Sequence, residues 1–465
     1  MTLIKSISGI RGTIGGKPGN ALTPLDILKY TAAFGTMIKQ NNKSIKCKIV
    51  IGRDARLSGE MLQNFVSATL VSIGIDVINL DLTTTPTTEM AVVFHEAQGG
   101  IILTASHNPK QWNALKLLNE KGEFISAEAG TKMLAMSDEE AFQFVEVNAL
   151  GKITNDTEAL QRHIDAILAL PIVSKEKIAS KNFKIVVDAV NSTGGIAVPA
   201  LLRALGVTDI VELYCEPTGY FPHNPEPLPE HLTEISKVVV KQKAHLGIVV
   251  DPDVDRLALV CEDGDMFGEE YTLVAVADYI LKNKKGSTVS NLSSTRALRD
   301  VTQAAGCTYF ASAVGEVNVV EMMKANNAVI GGEGNGGIIL PDLHYGRDAL
   351  VGIALFLTHL AQYGKSVSML RASYPEYYFS KNKIELTPEI DVDALLIYIK
   401  DRYKMYTVNT IDGVKIDFDT EWVHLRKSNT EPIVRIYAES KSITTANNLA
   451  EKIISDIKEF VMSSK

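Results

Sequence analysis

Short apolar runs recur along the chain, and each is followed by a polar loop. Residues 48–81 contain an apolar run, a polar loop, a helical apolar pattern that ends at a glycine, and a second apolar run. The same order recurs over residues 184–214 and again over 286–310. A strand, a helix stopped by glycine and another strand form a typical α/β unit. The repetition therefore predicts three similar α/β units.

Each predicted unit has one further apolar strand that ends in an unusual polar loop. The first strand ends at Ser106, within Thr104–Pro109. The second ends in Asp251–Arg256, and the third, at 328–330, ends in the glycine-rich run 331–337. Open α/β sheets place their chemistry at the carboxyl ends of the strands. Because the three loops follow equivalent strands, we expect them to converge on one cleft.

The last hundred residues have a different pattern. They predict a strand near 383–386, a helix near 392–403, strands through 408–418, 422–425 and 433–438, and a final helix with one apolar face. This is an α+β domain. The predicted fold class is thus α/β, with three similar mixed α/β domains and a C-terminal α+β domain around a central cleft. The predicted domains are 1–152, 153–255, 256–372 and 373–465.

Composition narrows the classes of function. The 465-residue chain has no apolar run long enough to span a membrane, and its start lacks the apolar core of a signal peptide. Its four cysteines are far apart, as expected for free thiols in the cytoplasm. A net charge of −8 argues against nucleic-acid or anionic-membrane partners. An anionic substrate would therefore need a local cluster of positive charge.

Three carboxylates alternate along the second loop, at Asp251, Asp253 and Asp255. So many like charges need neutralisation, most simply by a hard divalent cation such as Mg²⁺. An EF-hand is excluded because Arg256 replaces the required glycine and strands, not helices, flank the loop. A solvated acidic turn is the structural alternative.

In the first loop, Ser106 and His107 precede Pro109, which disfavours helical geometry just before it. A hydroxyl held there could be a nucleophile or a phosphate carrier, whereas the structural alternative is an Asx-type turn. Lys116 follows on the next strand and could transfer a proton, although an isolated lysine is more often plain surface. Near the amino terminus, Arg11 is a further cation between glycines.

The other two loops favour a sugar phosphate. Glycines around Glu333 would let the backbone approach a ligand, and the carboxylate could bond sugar hydroxyls, although a flexible turn fits equally. In the last domain, Arg426–Arg435 combines cations, hydroxyls and an amide, which match a phosphate dianion. A solvated hairpin is the alternative there.

Together these four loops resemble the α-D-phosphohexomutases over nearly the whole chain. The runs 333–337 and 430–432 are most similar to the bacterial and archaeal phosphoglucosamine mutases. Asn335 and Gly337 stand where members of the family often have Ser and His. The resemblance implies that Ser106 is phosphorylated and that Mg²⁺ is bound by Ser106, Asp251, Asp253 and Asp255. It implies that Glu333, with Asn335 beside it, contacts the sugar, and that the substrate phosphate is bound by Arg426, Ser428, Asn429, Thr430 and Arg435. It also implies that the transferred group lies near Arg11, His107 and Lys116, and that Arg256 supports the metal loop and contacts the substrate.

The implied activity is the interconversion of hexose 6-phosphate and hexose 1-phosphate through a 1,6-bisphosphate, with glucosamine as the expected sugar. A phosphomannomutase/phosphoglucomutase is the first alternative. A phosphatase and a non-catalytic sugar-phosphate binding protein are alternatives of other classes. The implied cofactors are one Mg²⁺ per chain and glucose 1,6-bisphosphate, or the cognate bisphosphate, as activator. The expected partner is a small hexose phosphate, and the resemblance leaves room for a homodimer.

Overall fold

The computed structural model describes residues 2–6, 9–43, 45–385, 390–427 and 433–463. Within these ranges the chain folds into four units, each built on its own β-sheet. None of the helices in the described part of the chain combines the length and apolarity that crossing a bilayer requires.

The first unit contains a seven-stranded sheet in the order β1-β2-β6-β5-β3-β4-β7. Its elements are β1 (Ile4–Ser6), β2 (Gly9–Thr13), α1 (Pro24–Asn41), β3 (Lys48–Arg53), α2 (Gly59–Ser72), β4 (Asp76–Leu82), α3 (Thr85–Phe94), β5 (Gly99–Leu103), β6 (Trp112–Leu118), α4 (Ala127–Asp138), a 3₁₀ helix (Val147–Ala149) and β7 (Ile153–Asn155). Strand β5 is buried along its whole length, and it leads directly into the serine loop.

The second unit contains a four-stranded sheet in the order β11-β10-β8-β9. Its elements are α5 (Ala159–Leu168), α6 (Lys175–Ser180), β8 (Lys184–Asp188), α7 (Gly194–Ala204), β9 (Asp209–Leu213), a 3₁₀ helix (Pro229–His231), α8 (Thr233–Gln242), β10 (Leu246–Val250) and β11 (Leu257–Val260). Strand β10 is likewise fully buried, and the acidic loop follows it.

The third unit contains a four-stranded sheet in the order β13-β12-β14-β15. Its elements are α9 (Glu269–Asn283), β12 (Thr288–Asn291), α10 (Ala297–Ala304), β13 (Tyr309–Ser312), α11 (Glu316–Ala325), β14 (Ile330–Glu333), β15 (Gly337–Ile339), α12 (Ala349–Tyr363) and α13 (Val367–Arg371).

A common arrangement relates the three sheets, as the sequence repeats predict. In each, three parallel strands are followed by one antiparallel strand: β4-β3-β5-β6, β9-β8-β10-β11 and β13-β12-β14-β15. The special loop always follows the third parallel strand. This equivalence brings the three loops to corresponding edges of their sheets.

The fourth unit is an antiparallel sheet covered by helices, which confirms the predicted α+β fold. Its elements are β16 (Tyr378–Glu385), α14 (Val392–Arg402), β17 (Thr407–Asn409), β18 (Val414–Asp417), β19 (Trp422–Lys427), β20 (Ile433–Ser440) and α15 (Ile443–Ser463). The strand order is β16-β20-β19-β18-β17. Leu449, Ile453 and Ile457 of α15 pack into a core that contains only residues of this unit.

The hydrophobic cores do not correspond one to one with the four sheets. One continuous core combines residues of the second and third units, with helix α12 at its centre. The main core of the first unit and the core of the fourth unit are separate from it. A shared core makes the second and third units a single packed body.

The limits of the four domains remain a prediction. Two strands extend across the predicted limits. Strand β7 lies beyond residue 152 but pairs with β4 of the first sheet. Strand β11 lies beyond residue 255 but pairs with β10 of the second sheet. In both places the backbone pairing continues a few residues past the predicted limit.

The glycine-rich run 331–337 is a tight hairpin and not an open loop. Strand β14 continues to Glu333, and Glu333 lies opposite Gly337 of β15. The sequence prediction ended this strand at residue 330 because glycine is uncommon within strands. Here glycine is needed, since a Cβ at Gly331 would lie 2.5 Å from Met323 Sδ and 2.9 Å from the Val289 carbonyl oxygen. Glu333 is therefore held in a sheet.

Candidate active site

Two adjoining cavities of about 490 and 410 Å³ lie between the four units. They form one cleft, because they share the lining residues His107, Arg256, Val314, Gly315, Glu333, Arg347 and Arg426. Cavities of this size suit small-molecule ligands. The cleft brings the predicted serine, acidic and glycine loops together with the fourth unit.

Ser106 lies at the first-unit wall of this cleft in an unusual backbone conformation. Its φ is 49°, in the left-handed region that non-glycine residues rarely adopt. The Thr104 hydroxyl accepts a hydrogen bond from the Ser106 N–H at 2.9 Å. The Ser106 hydroxyl donates to Asp251 Oδ2 at 2.7 Å, and its Oγ lies 3.3 Å from His107 Nδ1. The serine loop and the acidic loop are thus in direct contact.

Arg56, which the sequence did not single out, holds the serine loop in this conformation. It is fully buried and forms an ion pair with Asp54 at 3.0 Å. Its guanidinium donates to four backbone carbonyl oxygens, those of Ser106 (2.5 Å), Asn108 (2.6 Å), Pro109 (2.8 Å) and Trp112 (2.9 Å). A planar guanidinium has enough fixed donors to satisfy several carbonyls at once. Arg56 therefore positions Ser106 without lining the cleft.

Replacing Arg56 by leucine should destabilise the protein and misplace Ser106. Asp54 would be left as an unpaired buried carboxylate, and such a loss typically costs about 3–5 kcal/mol. Chemical denaturation followed by circular dichroism measures the effect. Arg203→Leu is the matched control, since Arg203 forms an exposed ion pair with Glu212 that is worth at most about 1 kcal/mol. Equal stability of the two variants would contradict this role.

The three carboxylates of the acidic loop are fully buried, and their ligand atoms lie within 4.8 Å of one another. Asp251 Oδ1 accepts the backbone N–H groups of Asp255 and Arg256 at 3.2 and 3.1 Å. Asp253 Oδ1 and Asp255 Oδ1 accept no hydrogen bond from any described residue. Buried carboxylate oxygens without a donor are costly. A hard divalent cation would satisfy them, so these residues fit a metal site.

Cations surround the acidic loop. Lys116 Nζ lies 2.7 Å from Asp253 Oδ2 and 3.3 Å from Asp255 Oδ2. Burial alone would lower the pKa of Lys116, but these two carboxylates raise it above the ordinary lysine value. Burial would raise the pKa of Asp255, but Arg347 and Lys116 hold it below its usual value. Lys116 is therefore a charged donor, and not the proton acceptor that a neutral lysine would be.

Arg347 is a second residue that the sequence did not single out. It connects the acidic loop to the glycine hairpin by donating to Asp255 Oδ2 at 2.7 Å and to Glu333 Oε2 at 2.8 Å. It also pairs with Glu316 at 2.9 Å. Glu333 Oε1 accepts from Asn291 Nδ2 at 2.8 Å. Glu333 thus lines the cleft in a fixed orientation, with Asn335 beside it on the hairpin turn.

The remaining first-unit and second-unit candidates meet at the cleft wall. Arg11 donates to Asn108 Oδ1 at 2.8 Å, which ties it to the serine loop. Arg256 Nη1 lies 3.6 Å, and His107 Nε2 4.0 Å, from Glu226 Oε1. Burial, together with Arg256 and Arg11, holds the pKa of His107 well below its ordinary value. The His107 imidazole is therefore neutral near pH 7.

Two arginines of the fourth unit line the cleft. Arg426 and Arg435 are direct cross-strand neighbours on β19 and β20, and both line the larger cavity. Arg426 Nε lies 2.8 Å from Asp412 Oδ2. The other predicted members of this loop, Ser428, Asn429 and Thr430, lie outside the described residues. Paired guanidiniums at a cleft wall suit a phosphate dianion.

Four protein-family models match the chain in succession. They are phosphoglucomutase/phosphomannomutase alpha/beta/alpha domain I over residues 3–144, domain II over 161–264, domain III over 268–378, and the C-terminal domain over 383–455. The chain belongs to the phosphoglucomutase/phosphomannomutase family. It is an enzyme of the phosphosugar mutase type.

Individual relatives cover almost the whole chain. A phosphoglucomutase/phosphomannomutase of Thermococcus kodakarensis is 35% identical over 95% of this chain and 96% of its own length. A phosphoglucosamine/phosphogalactosamine mutase of Sulfurisphaera tokodaii is 32% identical over 96% of this chain and 97% of its own length. The crystal structure of a family protein from Burkholderia thailandensis has the same fold, with a TM-score of 0.83, 24% identity and 98% coverage of both chains.

Proposed function

We propose that the enzyme interconverts hexose 6-phosphates and hexose 1-phosphates by way of phosphorylated Ser106, with glucosamine as the preferred sugar. The observation that carries this proposal is the 2.7 Å hydrogen bond from Ser106 to Asp251 at the wall of the cleft. A phosphoryl group on Ser106 Oγ would lie beside three carboxylates able to hold a metal ion. Arg426 and Arg435, across the cleft, would bind the phosphate that does not react.

The metal in this proposal is one Mg²⁺, held by Asp251, Asp253, Asp255 and an oxygen of phosphorylated Ser106. Octahedral Mg²⁺ prefers oxygen donors and commonly combines carboxylates with a phosphate oxygen. The Oδ1 atoms of Asp253 and Asp255, which accept no hydrogen bond from the described residues, are available as metal ligands. When bound, Mg²⁺ neutralises charge on the phosphoryl oxygens and so favours their transfer.

In the first half-reaction, a hydroxyl of the sugar attacks the phosphorus of phosphorylated Ser106. The bond between phosphorus and Ser106 Oγ breaks, the bond to the sugar oxygen forms, and the hydroxyl proton passes to a base. His107 suits the base, because burial keeps its imidazole neutral and its Nδ1 lies 3.3 Å from Ser106 Oγ. Lys116, held as an ammonium by Asp253 and Asp255, suits charge stabilisation.

The second half-reaction returns the other phosphate of the bisphosphate to Ser106. The sugar must therefore turn round within the cleft, and the same cationic wall must bind either phosphate. Arg426 and Arg435 belong to the unit with its own separate core, which allows that wall to move relative to the rest. Free glucose 1,6-bisphosphate, or the bisphosphate of the preferred sugar, would rephosphorylate Ser106 and activate turnover. We place this chemistry in the cytoplasm.

Glucosamine is the proposed sugar because carboxylates line the cleft near the glycine hairpin. Glu226, Glu269 and Glu270 all face the larger cavity, in addition to Glu333. The amine of glucosamine is partly cationic near neutral pH and suits such surroundings. The names of the relatives include both phosphoglucosamine and phosphoglucomutase/phosphomannomutase activities. A phosphomannomutase/phosphoglucomutase is therefore the second candidate.

A substrate panel separates the two candidates. The values of kcat/KM for glucosamine, mannose and glucose 6-phosphates should be measured under one protocol with Mg²⁺ and a matching bisphosphate. We expect glucosamine 6-phosphate to be preferred by about 5–150-fold, which corresponds to the ~1–3 kcal/mol that one substituent contributes. A tenfold preference for a mannose or glucose phosphate would favour the second candidate.

Replacing Arg426 by glutamine should raise KM by about 10–100-fold and change kcat less, because a charge-assisted hydrogen bond to phosphate contributes about 1.5–3 kcal/mol. Lys427→Gln is the matched control, since Lys427 is the next residue of β19, is half exposed and pairs with Asp393. Steady-state kinetics would measure both. The same KM for the two variants would show that Arg426 does not bind the substrate.

A further inference from the structure

A second cluster of metal-ligating side chains lies where the first three units meet, apart from the acidic loop. His163 of α5, and His344 and Asp348 just before α12, have ligand atoms within 4.8 Å of one another. His163 and Asp348 are fully buried, and His344 is nearly so. No step of the proposed reaction uses these residues. We propose that they bind one divalent transition-metal ion, of which Zn²⁺ is the best fit.

The distances within the cluster suit a tetrahedral ion. His163 Nε2 lies 2.9 Å and His344 Nε2 3.3 Å from the same atom, Asp348 Oδ2. Zinc binds histidine nitrogen and carboxylate oxygen at about 2.0–2.2 Å, so neighbouring ligand atoms of a tetrahedral ion lie about 3.3–3.6 Å apart. The two imidazole rings are nearly perpendicular, with an angle of 87° between their planes. Two ring nitrogens thus lie beside one carboxylate oxygen.

His163 and Asp348 are also oriented through their second polar atoms. His163 Nδ1 shares a hydrogen bond of 2.9 Å with Thr87 Oγ1, and His344 Nδ1 lies 3.4 Å from Glu89 Oε2. Asp348 Oδ1 accepts the N–H groups of Leu350 and Val351, which fixes it as the N-cap of α12. Metal-binding histidines commonly pair their other nitrogen with a hydroxyl, carbonyl or carboxylate in this way.

Glu89 gives an independent reason to expect a cation here. Its side chain is almost completely buried, and neither carboxylate oxygen accepts a hydrogen bond from the residues that the structure describes. An ion bound by His163, His344 and Asp348 would place positive charge beside this buried carboxyl group, whose Oε2 lies 3.4 Å from His344 Nδ1.

The position of the cluster indicates a structural role for the ion. Glu89 and Thr87 lie on α3 of the first unit, His163 on α5 of the second, and His344 and Asp348 in the third. Helix α3 also reaches the acidic loop, since the Thr85 hydroxyl donates to Asp253 Oδ2 at 2.6 Å. From the other side, the Ala349 N–H donates to the Val254 carbonyl oxygen at 3.1 Å. An ion here would fix three units around the acidic loop.

Metal analysis of the full chain tests the proposal. Protein purified without chelator and dialysed against excess Mg²⁺ should retain about one Zn²⁺ per chain by elemental mass spectrometry. His344→Gln should lose this ion, whereas Asp253→Asn, which alters only the acidic loop, should keep it. Zn²⁺ at about 100 times its Kd should raise the Tm of metal-free protein by about 3 °C. Circular dichroism would confirm that each variant is folded.

A second measurement needs no variant. Titration of metal-free wild-type protein with Co²⁺ in excess Mg²⁺ should give the intense visible absorption of tetrahedral cobalt, saturating at one ion per chain. Absence of a tightly bound ion from folded wild-type protein would overturn the proposal. Loss of the ion from Asp253→Asn would overturn it too, by assigning the ion to the acidic loop.

Discussion

Replacing Ser106 by alanine should abolish the phosphorylated form of the enzyme and reduce kcat by at least ~10³-fold, the scale on which the loss of covalent chemistry registers. The reason is the position of the Ser106 hydroxyl. Among the described residues of the serine loop, only Ser106 donates a hydroxyl hydrogen bond to the acidic loop, at 2.7 Å to Asp251. Intact-mass measurement should find a species carrying one phosphate in the wild type and none in the variant.

Ser293→Ala is the matched control for this variant. Ser293 also lines the cleft, but its hydroxyl is hydrogen-bonded to His424 Nδ1 of the fourth unit at 2.8 Å. We expect Ser293→Ala to keep the phosphate and most of the activity. Normal turnover by Ser106→Ala would mean that phosphate does not pass through this serine.

Replacing Asp253 by asparagine should weaken Mg²⁺ binding and lower kcat far more than it changes KM. No described residue donates a hydrogen bond to Asp253 Oδ1, while its Oδ2 already accepts from Lys116 and Thr85. The substitution removes the charge but keeps the shape. An ion that acts mainly on the transition state affects kcat more than substrate binding, and we expect a decrease of about 10²–10³-fold.

Titration of activity with Mg²⁺ measures this effect. Asp263→Asn is the control, because Asp263 is an exposed carboxylate in the turn after β11. That variant should require no more Mg²⁺ than the wild type. If wild-type enzyme stripped with a chelator works at full rate without added metal, the acidic loop has only a structural role.

The sequence predicted most elements of the fold because their signals are local. Strand β10 ends at residue 250, directly before the acidic loop as predicted, since it is a continuous apolar run bounded by polar residues. The repeated order of these signals also predicted the three similar units. Strand β14 was misplaced because the glycines within it are required by contacts with Met323 and Val289, which are distant in sequence.

The candidate site could be predicted only where its residues form compact motifs. Ser106 and the alternating aspartates stand out within a few positions of one another. Arg56 and Arg347 do not stand out, because each contacts partners 14–92 residues away in the sequence. Arg56 contacts Asn108, and Arg347 contacts Glu333 and Asp255. A lone arginine carries no sequence signal for such contacts. Lys116 was singled out, but only its contacts with Asp253 and Asp255 indicate a charged donor.

The most direct test follows a labelled phosphate from Ser106 into the sugar. Enzyme carrying radioactive phosphate on Ser106 should be mixed with excess glucosamine 6-phosphate and Mg²⁺, quenched at successive times, and the products separated. We expect the label to leave the protein, appear first in the 1,6-bisphosphate and then in glucosamine phosphates. Release of the label only as inorganic phosphate would indicate a phosphatase, and retention on the protein a binding protein; either result would contradict the proposed mutase reaction.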